Sequence, residues 1–308
     1  MAVVGNNTAG RALPNIGFFG TTYWTPAYDM QAYVYVIGGG GSGACSRAAN
    51  LRSSGGGAGG CAVSLITILS SITYTVTVGA GGIYEYLSAN GNNGSLSSLI
   101  GSNITTMIGN GGTGGVHASS GSVAGGAGGS ATGGNICNNT GGAGGSCTDF
   151  NNATSGGGAV GLWSTGNAGA PQSVHHELDA CYGGNTSYDP GTTTQGANHI
   201  YASKDGATTP LSGIVPFPVI TETRHNSDVL SYPIQAGQTQ HDRYRTNYIM
   251  PPAAPFCGGH GIGINLAVTA AGGHGSVGGG GGAAFATSSA WSGPGGNGAV
   301  LVFPVDMG

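Results

Sequence analysis

Glycine in this chain is gathered into islands, at residues 38–43, 55–60, 79–82, 109–115, 125–134, 141–145, 156–161 and 278–282, with β-type runs between them. Inside the islands the texture is Gly-Gly-X, as at 111–115 and 141–145. A period of three is that of the polyproline II helix, which makes no internal hydrogen bonds and so leaves every N–H and C=O for a neighbouring segment. Where Cβ is missing, backbones can approach closely enough to make those bonds. The expected fold class is therefore mainly β with glycine-rich polyproline/polyglycine II helices. β-strands stand at the ends of a packed polyglycine sandwich, and α-helix is almost absent.

The competing expectation is a disordered chain, since 66 glycines and 13 prolines in 308 residues fall in the range of low-complexity sequence. Each ordered glycine also costs about 0.5–1 kcal/mol relative to alanine. Against disorder stand 39% hydrophobic and only 6% charged residues, because disordered chains combine weak hydrophobicity with high net charge. Backbone hydrogen bonds between islands are the expected compensation. A net charge of −4, with Lys204 the only lysine, offers no basic stripe and argues against a nucleic-acid partner. Residues 1–10 show neither a basic segment nor an apolar core of a secretory signal, so release without the general secretion pathway is expected. The uncharged stretch 62–78 alternates, with Ile72, Tyr74, Val76 and Val78 on one face and Thr73, Thr75 and Thr77 on the other. That is the period of a strand, and no membrane insertion is expected.

Residues 31–37 and 299–305 lack a polar face, as strands buried on both sides do, and are expected to pair. Residues 62–69 and 72–78 read as a hairpin or strand pair, 96–108 as a broken β segment, and 262–269 as a late strand carrying Ile262, Ile264, Leu266 and Val268. The chain divides into an N-terminal attachment or assembly segment (1–30), a glycine-rich β/polyglycine II domain (31–170 and 257–308) and a Tyr/His-rich insertion (171–256). In the insertion glycine drops to seven residues while Tyr, His, Arg and Pro accumulate. Loops on a rigid scaffold carry function, so the insertion reads equally as a binding surface or as a flap over a neighbour. The six cysteines, Cys45, Cys61, Cys137, Cys147, Cys181 and Cys257, contain no Cys-x-x-Cys pair and are expected to be mostly reduced, buried thiols.

Several patterns resemble catalytic or cofactor motifs without their context. Gly38-x-Gly40-x-x-Gly43 and Gly109-x-Gly111-x-x-Gly114 match the dinucleotide fingerprint, but no helix of useful length follows either. His175-His176-Glu177-x-Asp179-x-Cys181 is the densest set of metal-ligand types, yet adjacent histidines point to opposite faces of a strand and zincin spacing is absent. The run 273–278 lacks the first glycine of a nucleophile elbow. With eleven carboxylates in all, no pair is placed for glycoside cleavage. No enzyme activity, cofactor or metal is expected.

Two passages carry a resemblance. Tyr23-Trp24-Thr25-Pro26 followed by the run from Ala32 to Gly43, and Ser71-Ile72-Thr73-Tyr74-Thr75-Val76-Thr77-Val78-Gly79-Ala80-Gly81-Gly82, resemble the glycine-rich domain of bacteriophage tail-fibre and related virion proteins. The ending Gly295-Gly296-Asn297-Gly298-Ala299-Val300-Leu301-Val302-Phe303 is similar to its closing strand. The islands also resemble those of T-even phage tail-fibre adhesins, in which loops on packed polyglycine II helices recognise host receptors. What this resemblance implies is a virion structural protein on the particle surface, synthesised in the host cytoplasm, acting as a tail-fibre or receptor-binding adhesin. It implies a homotrimer, other virion proteins as partners, and a host surface glycan or outer-membrane protein as receptor. The contact segments it implies are 83–90, 162–180 and the insertion. Their candidate residues are Tyr84, Tyr86, Trp163, His175, His176, Tyr182, Tyr188, Tyr201, Arg224, His225, His241, Arg243, Tyr244 and Arg245. A capsid or tail decoration protein without host contact is the alternative. From another class comes an ice-binding protein, which calls for regular Thr or Ala columns at a three-residue repeat; none is evident in the sequence.

Overall fold

The strand-forming runs assemble into two five-stranded sheets that face each other across one apolar core, with no helix among the described residues. The computed structural model describes residues 15–148, 152–154, 156–157, 165–166, 168–169, 180–181, 247–249, 258–259, 261–264 and 269–305. In the first sheet the order is Ile16–Phe18, Ala299–Pro304, Met30–Ile37, Cys61–Ile68, Cys137–Asn139, antiparallel throughout. The expected pairing of the first and last long runs is present, with Val36 opposite Val300 and Val34 opposite Val302. The second sheet runs Ala131–Thr132, Met107–Gly109, Ser97–Ile100, Tyr74–Thr77, Thr22–Trp24. Two strands, from residues 16–24, come from the N-terminal stretch and each lies at a sheet edge.

Strand alternation fixes which side chains enter the core. Ala32, Val34 and Val36 point in from one sheet, and Tyr74, Val76, Leu99 and Met107 from the other, all fully buried. Phe18, Trp24 and Tyr74 form an aromatic chain across it, with centroids 5.3 and 5.7 Å apart. The run 72–78 thus presents the face read from the sequence, with Ile72 and Val78 packed against the same cluster.

One expectation is corrected. The strands Cys61–Ile68 and Tyr74–Thr77 do not pair; they belong to different sheets. Both long edges of Cys61–Ile68 are already occupied, by Met30–Ile37 and Cys137–Asn139. Residues 69–73 turn instead, through an Ile72 N–H to Leu69 O bond of 3.2 Å. The chain then crosses to the facing sheet, where the Tyr74 hydroxyl accepts from the Leu69 N–H and donates to Asn103 Oδ1, each at 2.9 Å.

From these sheets the chain runs outward through glycine, turns, and returns through glycine. Residues 38–44 show what holds the segments together. Gly38, Gly41 and Ala44 donate to Gly60, Gly57 and Ser54; Gly39 and Ser42 donate to Ser95 and Asn92; Gly40 and Gly43 donate to Gly296 and Gly293, all at 2.8–3.0 Å. Successive N–H groups therefore point to three different segments, and the partner recurs every third residue. Carbonyls reach three more: Gly39 and Ser42 accept from Gly112 and Gly115, Gly40 from Gly82, and Gly41 and Ala44 from Gly281 and Ala284. The segment has six hydrogen-bonded neighbours. Residues 54–60 and 278–284 are buried in the same manner, and these two and 38–44 bond to one another.

The period of three is the one that packed polyproline II-type helices require, and the interior of this half is made of backbone. A Cβ at Gly40 would fall inside contact distance of the Gly279 carbonyl, and one at Gly43 would meet that of Gly282. Each backbone hydrogen bond contributes a net ~1 kcal/mol, similar in size to the cost of ordering one glycine. The bonds and the glycines that permit them are energetically matched.

Segments 91–95, 110–115, 125–129 and 141–145, with Gly166 and Gly169 beyond them, form an outer layer in that order. Its bonds include Gly94 to Gly112, Thr113 to Ala127, Gly144 to Gly126 and Gly169 to Ala143. Glycines face inward, and the third residue of a Gly-Gly-X unit, such as Thr113, Ala127 or Ala143, is exposed, as is Ala168.

Candidate functional site

At the end of the glycine bundle away from the sandwich, the turns between outgoing and returning segments meet in a rim. Short strands stitch it. Cys45–Ser46, Ala284–Ala286 and Gly261–Ile264 pair in parallel, as do Ser289–Trp291, Thr269–Ala271 and Asn247–Ile249. Arg52–Ser53 lies between His117–Ala118 and Asn152–Ala153. Phe285, fully buried with Ala153 and Ala283, gives this end a small apolar core of its own.

The segment 83–90 projects from the rim. Ile83, Tyr84, Tyr86 and Leu87 are 70%, 56%, 48% and 56% exposed, a concentration of large apolar side chains within five residues. Soluble proteins rarely gather such groups on the surface without a use. The backbone beneath them is tied down. Glu85 N–H donates to Ser292 Oγ and Glu85 O accepts from Ser292 N–H, both at 2.8 Å. Ala89 and Cys45 exchange two bonds of 3.0 Å, and Asn92 Nδ2 donates to Ile83 O at 3.1 Å and to the Glu85 carboxylate.

A second set of contacts fixes the Tyr86 ring. The Arg47 guanidinium lies 5.2 Å from its centroid and donates to Ser288 O at 2.8 Å. Trp291 stacks on Tyr86 at 6.4 Å, with 26° between the planes. Arg47 N–H also bonds Ser88 Oγ at 2.9 Å. Three turns far apart in sequence are thereby joined around one ring.

Of the contact candidates read from the sequence, Tyr84 and Tyr86 lie together on this rim. Trp163, His175, His176, Tyr182, Tyr188, Tyr201, Arg224, His225, His241, Arg243, Tyr244 and Arg245 lie outside the described residues. Sequence reasoning missed Arg47 and Trp291. Arg47 stands four residues after the glycine island 38–43 and Trp291 two residues before Gly293, but nothing local to either signals Tyr86.

Beside this surface a polar cluster is sealed. The Ser46 hydroxyl bonds Ser53 Oγ and His117 Nδ1, the latter at 2.8 Å, and burial lowers the imidazole pKa from its ordinary 6.5. Ser46 is fully buried and His117 half-buried. Cys45, Cys61 and Cys147 are buried free thiols and Cys137 is a half-buried one; Cys257 lies outside the described residues. Burial pushes the Cys45 thiol up to about 12 and raises those of Cys61 and Cys137. Such thiols stay protonated and are poor nucleophiles.

The fingerprint Gly38-x-Gly40-x-x-Gly43 holds no phosphate cradle, because every N–H from Gly38 to Gly43 already donates to a backbone carbonyl. In the second fingerprint, Asn110, Gly112, Thr113 and Gly114 likewise donate within the protein.

A family model for a glycine-rich domain matches residues 17–303. The chain belongs to this glycine-rich domain family. The match begins within the strand Ile16–Phe18 and ends within the strand Ala299–Pro304, so in this glycine-rich domain the paired first and last strands close the first sheet. No curated protein matches the chain.

Proposed function

We propose that this glycine-rich domain protein is a structural component of a phage virion, acting as a tail-fibre or receptor-binding adhesin whose rim contacts the host cell surface. The supporting observation is the pairing of a stiff backbone-bonded shaft with a fixed, exposed apolar loop at one end, the segment 83–90. Preorganised loops lose little entropy on binding. Several copies per particle, as in a homotrimeric fibre, would raise weak single contacts through effective concentration. On this reading the packed segments are polyglycine II helices, the rest of the virion is the partner at the sandwich end, and no catalysis is involved.

The test is binding of labelled protein to host cells, together with gold-labelled antibody on intact particles. The reading expects cell binding and labelling at the tail. Labelling confined to the capsid shell without cell binding would favour a decoration protein, and absence of both would remove the virion reading.

The outer glycine layer favours a second reading. Thr113, Ala127, Ala143 and Ala168 form an uncharged row, with further exposed positions three residues away at Ala124, Ser130, Thr140, Ser146 and Thr165. Regular columns of this kind, not evident in the linear sequence, are what an ice-binding face needs. Thermal hysteresis in a solution of the purified protein supports that reading, and its absence removes it.

A further inference from the structure

We infer that Asn110 is a site of spontaneous covalent modification, at which the Gly111 backbone nitrogen displaces the Asn110 side-chain amine as ammonia. The chain carries four Asn-Gly pairs, at 90–91, 93–94, 110–111 and 297–298. A glycine after asparagine leaves the following amide nitrogen unscreened, since it has no Cβ. All four pairs have the covalent means to react, and the fold decides which does.

In three of them the fold withholds both reacting groups. The nucleophile is the glycine nitrogen, and it is tied to the next segment: Gly91 N–H donates to Gly115 O at 2.8 Å, Gly94 N–H to Gly112 O at 2.9 Å and Gly298 N–H to Gly79 O at 2.9 Å. The electrophile is the asparagine Cγ, and the Oδ1 on it is pinned by a backbone amide. Asn90 accepts from His117 N–H at 2.8 Å, Asn93 from Gly114 N–H at 2.9 Å and Asn297 from Gly81 N–H at 2.8 Å. Asn110 departs from this arrangement on both counts. Among the described residues no acceptor takes the Gly111 N–H and no backbone amide reaches Asn110 Oδ1. The side chain donates instead, from Nδ2 to Ser130 Oγ at 3.1 Å.

The neighbouring segment accounts for the difference. Segments 91–95 and 110–115 run antiparallel, with Gly91 bonded to Gly115 and Gly94 to Gly112. Asn93 caps the Gly114 N–H, and with the period of three the next outward pair is Leu96 beside Gly111. Leu96, 46% exposed, has no oxygen to offer.

The reaction balances without an enzyme or an oxidant. Once the Gly111 N–H has lost its proton to solvent base, the nitrogen attacks Asn110 Cγ. The new C–N bond closes a cyclic imide as the Cγ–Nδ2 bond breaks and ammonia leaves. Water then opens the imide at either carbonyl, giving aspartate or isoaspartate. The product carries a carboxylate into the stretch 110–146, which contains no Asp, Glu, Lys or Arg.

Exposure would rank the four pairs the other way, because Asn90, Asn93 and Asn297 are exposed and Asn110 is half-buried. The experiment incubates the full chain at mildly alkaline pH, folded and in parallel in denaturant. Digestion with an acid protease then allows the conversion of each asparagine to be followed by mass spectrometry. In the folded chain Asn110 should convert at least about tenfold faster than each of the other three, which must first break two hydrogen bonds. In denaturant the four should convert at similar rates. Any smaller margin in the folded chain overturns the inference, whether the four convert alike or Asn110 is slowest as exposure would have it. A preference for Asn110 that persists in denaturant overturns it too, since the fold would then not be the cause.

Discussion

In the sandwich, water is excluded by side chains; in the glycine bundle it is excluded by backbone packed on backbone. Leu99, Met107, Tyr74 and Val34 fill the first interior. The second is built at residues 38–44, 54–60 and 278–284 from backbone N–H groups, nearly all of which donate to a carbonyl on a neighbouring segment. The two differ in how they tolerate change. A side-chain core loses stability in proportion to the volume removed. A backbone core has no volume to lose and none to accept, so an added methyl group is the damaging change.

The largest expected effect follows. Gly40→Ala places its methyl against the Gly279 carbonyl, between segments held from several sides. It should cost more than about 4 kcal/mol, read as loss of soluble folded protein or a collapsed denaturation midpoint. A stable, unshifted Gly40→Ala would break the contrast. Next comes the sandwich, where Leu99→Ala empties a fully buried position and should cost about 3 kcal/mol in chemical denaturation, leaving the fold intact. Tyr74→Phe keeps the ring and removes the hydroxyl that serves Leu69 N–H and Asn103; about 1 kcal/mol is expected. Ala127→Ser, at an outward third position of a Gly-Gly-X unit, should fall within about 0.5 kcal/mol of the parent. Its neighbour Gly126 points inward toward the backbone at Thr113, and Gly126→Ala should be far more damaging, which sharpens the contrast to adjacent residues.

The smallest effect is a pH dependence at the rim. Burial lowers the pKa of His117 from 6.5, so the unfolded chain takes up a proton before the folded one does. The stability tied to the neutral ring is fully present above pH 6.5 and is lost as pH falls through the lowered value. His117→Gln should flatten the part of the acid limb of a Tm-versus-pH curve that His117 contributes. The half-buried His274, lowered for the same reason, and Asp29, lowered by its hydrogen bonds from Ser70, should keep their own contributions to that limb.

Much of the sandwich was legible in the chain because side chains announce their faces. The alternation Ile72, Tyr74, Val76, Val78 gave the inward face, and the two-sided apolar runs near residues 34 and 302 gave their pairing. The separation of Cys61–Ile68 from Tyr74–Thr77 was hidden, because a short turn between apolar strands suits a hairpin and a sheet-to-sheet crossing alike. In the bundle the islands and their period of three were visible, but not which island meets which. Gly41 bonds Gly281 across some two hundred and forty residues, and glycine has no side chain to encode that choice; the flanking strands set the register. For the same reason the rim was half legible. Tyr84 and Tyr86 could be named from the loop, whereas Arg47 and Trp291 reach Tyr86 only because the bundle brings their turns to one end.

The most direct test of a backbone-built core is native-state hydrogen exchange resolved to single amides. The amides of Gly40, Gly43, Gly57 and Gly281 donate to backbone carbonyls at 2.8–3.0 Å. They should exchange only through global unfolding, as slowly as those of Val34 and Leu301 in the sandwich and with the same denaturant dependence. Exchange of the glycine amides at the rate of an unstructured glycine-rich chain, while the sandwich amides remain protected, would contradict the account.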